Sequence, residues 1–171
     1  MSTKLMSIEF LTKAYQLKTL ARSGWLRAGI TQPESVADHS WALSLLALYL
    51  CPAELNKTRV LELCIVHDLP EVIVGDITPH DHITKEEKHH LEWQAAHTLL
   101  PAELLDIWTE YQEGISPESK FVHSLDKLEM GIQAKIYAPL ANTQEFIHSA
   151  QRSTDPQHQT LLLRILSGDT P

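Results

Sequence analysis

Apolar residues recur along this 171-residue chain at spacings of three and four, the period of an amphipathic helix. In the first such segment Ile8, Leu11, Tyr15 and Leu20 keep that spacing; Ser7 is placed to cap it and Gly24 lies near its end. A second helix is expected from about Ser35 to Leu50, stopping before Pro52. Asn56 caps a third, in which Val60, Leu61, Cys64 and Ile65 form the expected buried stripe, and Pro70 ends or kinks it. "GDITPHDHI" (75–83) reads as a loop rich in turn formers. Thr84 and Glu87 make a capping box for a helix to about Leu100. Pro101 opens another that ends near Gly114, and "SPES" (116–119) sets a cap and a first-turn proline ahead of a long helix reaching Pro139. Asp155 and Gly168 bracket a last helix. No alternating run of Val, Ile and Thr is long enough for a sheet, and no repeat or linker divides the chain. The expectation is an all-α, single-domain fold spanning residues 1–171.

Composition narrows the class. A hydrophobic content of 43% fits a globular core and argues against disorder. A net charge of −8 disfavours nucleic-acid polymers and anionic membranes as partners, and leaves a small anionic substrate admissible only where a metal or local cations offset the field. Cys51 and Cys64 form no CxxC pair and read as reduced packing residues, which suits a cytoplasmic location. The start "MSTKLMSIEF" lacks the apolar core of a signal peptide, and no stretch approaches the roughly 20 apolar residues of a membrane span.

One segment breaks the apolar pattern. "CIVHDLPE" (64–71) runs from a hydrophobic stripe straight into His67, Asp68 and Glu71. Adjacent helical residues point roughly 100° apart, so His67 and Asp68 grip one ion from two sides only near the helix surface, typically at a helix end. Two further ligands are available at similarly apolar points: His39 in "SVADHSWAL" and Asp126 in "HSLDKLEM". The set offers two nitrogens and two carboxylates, which suits a borderline or hard divalent ion with open positions. Each member taken alone also reads blandly, His39 as a hydrogen-bonded core residue and Asp126 as a solvated acid.

"ESVADHS", "VHDLPE", "GDITP" and "LDKLEM" closely resemble, in order over about residues 20–140, the metal-dependent HD-domain phosphohydrolases, in particular the 5′-deoxynucleotidase branch. The resemblance implies an all-helical HD fold whose one divalent ion per chain (Mn, Co, Mg, Zn or Fe) is held by His39, His67, Asp68 and Asp126. It implies that Glu71 handles the proton of the attacking water, where the bland alternative is an acid favoured by a helix start. Asp76 corresponds to an acid that approaches the sugar or a second ion, or is an ordinary turn residue; Thr78 is a weaker candidate.

On the substrate side, "ARSGWLRAGI" (21–30) resembles the segment in which a Trp borders the nucleotide and an Arg meets the phosphate. Trp25 fits the Trp by its distance to His39, with core packing as the alternative. Gly24 occupies the place where some members carry the Arg, which leaves Arg22 as the first choice and Arg27 as the second. Lys127 is a further candidate for phosphate, and Glu110 or Glu113 for the ribose. The resemblance implies hydrolysis of a deoxyribonucleoside 5′-monophosphate, by a homodimer. The rival readings are a dinuclear oxygenase or phosphodiesterase recruiting His80 or His82, and a non-catalytic metal-binding module.

Overall fold

The computed structural model describes residues 8–168. Its elements are α1 (Ile8–Ala14), a 3₁₀ turn (Tyr15–Lys18), α2 (Ser23–Arg27), α3 (Val36–Leu50), α4 (Lys57–Val66), α5 (Glu71–Val74), α6 (Lys85–Leu99), α7 (Ala102–Glu113), α8 (Pro117–Tyr137), α9 (Gln144–Ser153) and α10 (Pro156–Ser167). Among the described residues no strand forms; a single isolated bridge joins Ala21 and Ser35.

Local chemistry sets most of these boundaries. Ser35 accepts a hydrogen bond from the Asp38 amide while the Asp38 carboxylate accepts one from the Ser35 amide, so α3 starts on a reciprocal cap. Thr84 and Glu87 do the same for α6. Asn56 caps α4, Ser116 caps α8 ahead of Pro117, and Asp155 caps α10, which Gly168 closes in the left-handed conformation.

Three differences from the sequence expectation have physical causes. The first helix does not run on to Gly24, because Arg22 N–H donates to Glu34 C=O and Val36 N–H to Leu20 C=O. Those bonds draw residues 20–22 into an extended pairing, and the chain re-enters a helix only at Ser23; Ser7 lies outside the described residues. On α4 the buried stripe is Val60, Leu63, Cys64 and Val66, while Ile65 faces solvent. Helix α9 was not anticipated. Its flanking Thr143 makes no cap; the hydroxyl donates instead to Ala134 C=O, fixing α9 against the end of α8.

Helix α8 is the axis of the fold. It packs against α3 and α4 on one side and α9 and α10 on the other. Leu43, Leu63, Leu125 and Leu128 are fully buried between these helices, each worth about 1.5–3 kcal/mol by transfer from water. Gly131 permits the close approach of α8 to α9 and α10: a Cβ there would lie 2.8 Å from Leu162 Cδ1 and 2.9 Å from Ala150 Cβ. The same packing aims polar groups inward. His39 sits in the buried stripe of α3 with Val36, Leu43 and Ala47, and Asp126 and Glu129 sit in that of α8.

Candidate metal centre and active-site cleft

Helix α4 ends at Val66, and His67 to Pro70 form tight turns before α5. The turn matters because a continuous helix would carry Asp68 away from His67; here His67 Nε2 lies 3.1 Å from Asp68 Oδ2. His39 Nε2 lies 3.7 Å from that same oxygen and 3.3 Å from Asp126 Oδ1. Donor atoms of His39, His67 and Asp126 all fall within 4.8 Å of one another. Ligands about 2.0–2.2 Å from a shared ion sit roughly 3–3.5 Å apart, so this spacing suits one small divalent cation.

The hydrogen bonding favours the same use. His67 Nδ1 is 2.9 Å from Cys64 C=O, a pure acceptor, so Nδ1 carries the proton. His39 Nδ1 is 2.6 Å from Glu129 Oε2. Both Nε2 atoms are buried and without a hydrogen-bond partner among the described residues. Buried polar atoms normally find a partner, and two orphaned imidazole nitrogens facing two carboxylates are a donor set that a cation satisfies.

Electrostatics show how strongly the cluster demands positive charge. Burial and the Arg22 charge oppose protonation of His39, yet its contacts with Asp126 and Glu129 push it up to about 10. Burial also works against ionised Asp68, but His67, His39 and Arg22 hold its carboxyl well below the usual range. For Asp126, Lys127 and His39 outweigh burial in the same direction.

Glu71 is different. It is buried, and burial together with Asp68 and Asp76 raises its carboxyl well above the ordinary value against the opposing pull of Arg22 and Lys88. Its Oε2 has no hydrogen-bond partner among the described residues. A buried carboxyl of raised pKa beside cation ligands has the character of a general base or acid.

Around this cluster opens a cleft of about 600 Å³, within the range of small-ligand sites. Arg22 reaches into it, with Nη1 3.7 Å from Asp68 Oδ2 and 3.6 Å from Asp76 Oδ1. Burial works against its charge, but these acids and Glu71 raise its pKa further, so it stays cationic. Arg27 lies at the outer rim, ion-paired with Glu145 and stacked over Phe146. Asp76 Oδ2 accepts from the Ser23 amide at 2.6 Å, fixing the start of α2 and hence Arg22. Lys127 Nζ donates to Asp126 Oδ2 at 2.7 Å and borders the cleft.

Trp25 is only 2% exposed; it packs against Tyr137 and Phe146 and donates its Nε1–H to Glu34 Oε1. It forms the floor of one end of the cleft and belongs to a small second core with Ile30, Ala134 and Ile147. Thr78 spends its amide and hydroxyl on Asp81. Neither His80 nor His82 joins a donor cluster among the described residues.

The two acids expected near the ribose fall outside the cleft, and residues not singled out from sequence line it instead. Glu110 accepts from Arg59 and Ser116, and neither it nor Glu113 lines the cleft; Tyr111 and Gln112 do. Tyr111 packs its ring 5.1 Å from that of His67 and stacks on His123. Lys88 and Glu92, one turn apart on α6, form the opposite wall, and Lys88 Nζ also donates to Ile77 C=O. Their i,i+4 spacing was the available signal, hidden among the other charges of "KEEKHHLEW".

The HD domain family model matches residues 14–161. This chain belongs to that family. The HD domain here is 41% identical over 155 residues to the protein of Danio rerio named 5′-deoxynucleotidase HDDC2, covering 84% of this chain and 78% of that one. It is 43% identical over 140 residues to the Homo sapiens protein of the same name, covering 78% and 69%. Its fold matches a solved Pyrococcus horikoshii structure with a TM-score of 0.81 at 31% identity, over 95% of this chain and 99% of the other.

Proposed function

We propose that this HD domain is a metal-dependent 5′-deoxynucleotidase, hydrolysing deoxyribonucleoside 5′-monophosphates to the deoxynucleoside and inorganic phosphate. The carrying observation is the convergence of two orphaned imidazole nitrogens, Asp68 and Asp126 beside an unpartnered Glu71 oxygen in one cleft. The relatives named 5′-deoxynucleotidases at about two-fifths identity supply the substrate class.

In this reading His39, His67, Asp68 and Asp126 hold one divalent ion. Such an ion polarises a phosphoryl oxygen and lowers the pKa of water from 15.7 toward about 7. Arg22 binds the phosphate, and Asp76 positions Arg22 through its contacts with the guanidinium and the Ser23 amide. Lys127, paired to Asp126, adds positive charge on the adjacent side. Glu71 accepts a proton as water attacks phosphorus, and the P–O bond to the 5′-oxygen breaks; the same proton is then available to that oxygen. Trp25 and Phe146 line the end of the cleft that receives the nucleoside.

The test is phosphate release by metal-stripped protein with Mn²⁺, Co²⁺, Mg²⁺, Zn²⁺ or Fe²⁺ restored in turn. Deoxyribonucleoside and ribonucleoside 5′-monophosphates, 3′-monophosphates and a cyclic dinucleotide form the substrate panel. Metal-dependent release from deoxy 5′-monophosphates is expected, with Arg22→Ala raising KM through the lost charge-assisted phosphate contact. No release from any 5′-monophosphate by metal-loaded protein defeats the assignment.

The same reading includes a cytoplasmic homodimer. Trp41, Leu45, Leu48 and Tyr49 leave a solvent-exposed apolar stripe on α3, opposite the stripe that carries His39. Light scattering is expected to give about twice the 19.3 kDa chain mass, and a single-chain mass removes this part of the reading. Among the described residues no helix is long and apolar enough to cross a membrane.

A further inference from the structure

We propose that Glu129 is a positioning residue that fixes the ring and tautomer of His39 and thereby tightens the metal centre. The inference rests on the metal-centre reading above and adds a residue that touches neither ion nor substrate. Glu129 lies behind His39, away from the cleft, and is 3% exposed while His39 is fully buried.

The geometry clamps one imidazole from both sides. Asp126 and Glu129 are one helical turn apart on α8 and so share a face. Asp126 Oδ1 stands 3.3 Å from His39 Nε2, and Glu129 Oε2 stands 2.6 Å from His39 Nδ1. A carboxylate at Nδ1 holds the proton there, leaves the Nε2 lone pair free for a cation, and raises the donor strength of the ring.

The two histidines are therefore not equivalent. His67 has only the neutral Cys64 carbonyl at its Nδ1, whereas His39 has an acidic side chain at a shorter distance. A second acid stands beside Glu129 and His39. The Glu34 carboxylate comes within 4.8 Å of the same atoms, and it is fixed in turn by Trp25 Nε1–H at 2.8 Å.

The experiment is calorimetric titration of metal-stripped protein with Zn²⁺ for wild type, Glu129→Gln, Glu129→Leu and His67→Ala. Alongside it, thermal melting of each metal-free protein and long-range ¹⁵N spectra of the histidines in the zinc-loaded state are recorded. Glu129→Leu is expected to weaken Zn²⁺ binding about 10–100-fold. Glu129→Gln, which restores a neutral acceptor like the carbonyl at His67, recovers part of that loss. The zinc-loaded wild type is expected to carry the His39 proton on Nδ1, with a tautomer mixture in Glu129→Leu.

A structural role alone would lower the metal-free melting temperature of both Glu129 variants and leave affinity and tautomer unchanged, which overturns the inference. Two Zn²⁺ per chain, one of them lost in Glu129→Gln, would make Glu129 a ligand and also overturn it. Equal binding by wild type and His67→Ala would defeat the metal-centre reading itself. Loss of binding in His67→Ala with full affinity in both Glu129 variants would defeat this inference alone.

Discussion

Glu71→Gln is expected to cut phosphate release about 10²–10⁴-fold while leaving the divalent ion bound, the range for removal of a positioned acid–base group. The substitution keeps size and shape, so the turn from His67 to Pro70 and the contacts of His67, Asp68 and His39 have no reason to move. What is lost is the capacity to take a proton at a buried oxygen that has no other partner among the described residues. Turnover near the wild-type level with the ion bound would return Glu71 to the role of a helix-start acid.

The same variant carries a second, opposite signature in the metal-free protein. Burial, Asp68 and Asp76 raise the Glu71 carboxyl well above its unfolded value. A carboxyl whose folded pKa is raised binds its proton more tightly when folded, so stability is lost as pH rises from the unfolded toward the folded pKa. At neutral pH keeping the Glu71 carboxyl in this site therefore costs stability that glutamine does not. Metal-free Glu71→Gln is expected to melt above wild type at neutral pH, with the gap closing below the ordinary glutamate range. A catalytic group kept at the expense of stability behaves this way, whereas a group kept for the fold does not.

How far the sequence anticipated the molecule depends on whether a feature was local. The caps at Asn56, Thr84, Ser116 and Asp155 each need only a side chain and an amide two or three residues on, and all four formed where the residues placed them; Ser35, read only as the start of its helix, caps it in the same way. The break after the 3₁₀ turn was not legible, because it depends on Leu20 and Arg22 finding partners at Val36 and Glu34. Helix α9 was missed because the cap signal at Thr143 is spent on Ala134 in another helix.

The candidate site follows the same division. His39, His67, Asp68 and Asp126 stand out as polar interruptions of apolar stripes, and the fold brings them together. Arg22 was the first choice over Arg27 from sequence, and the fold sets the two apart: Asp76 draws one into the cluster and Glu145 holds the other at the rim. Glu129 was visible in "LDKLEM" one turn beyond Asp126, but its use depends on the back of an imidazole contributed from a residue 90 positions earlier.

Restoring a divalent ion to the stripped protein is expected to raise its melting temperature by roughly 5–10 °C, and Asp126→Ala is expected to abolish that rise together with turnover. An ion present at about 100 times its Kd stabilises by about 2.7 kcal/mol, and for a chain of this size each kcal/mol shifts the midpoint by about 2–4 °C. Asp126 is the ligand to remove because it connects the cluster to α8, through His39 on one side and Lys127 on the other. Without it His39 Nε2 keeps only the longer approach to Asp68, and two of the donors that lie within 4.8 Å of one another remain.

The metal-free variant should also be weaker than metal-free wild type at neutral pH. Lys127 and His39 depress the Asp126 carboxyl well below its unfolded value despite its burial. A depressed carboxyl contributes stability above its unfolded pKa and loses it as pH falls toward the folded one. Differential scanning of the two proteins, with and without Mn²⁺ and at neutral and acid pH, separates the two contributions. An ion-dependent rise that survives Asp126→Ala would place the cation elsewhere, whereas a lost rise with an intact melt ties the ion to the site that turnover needs.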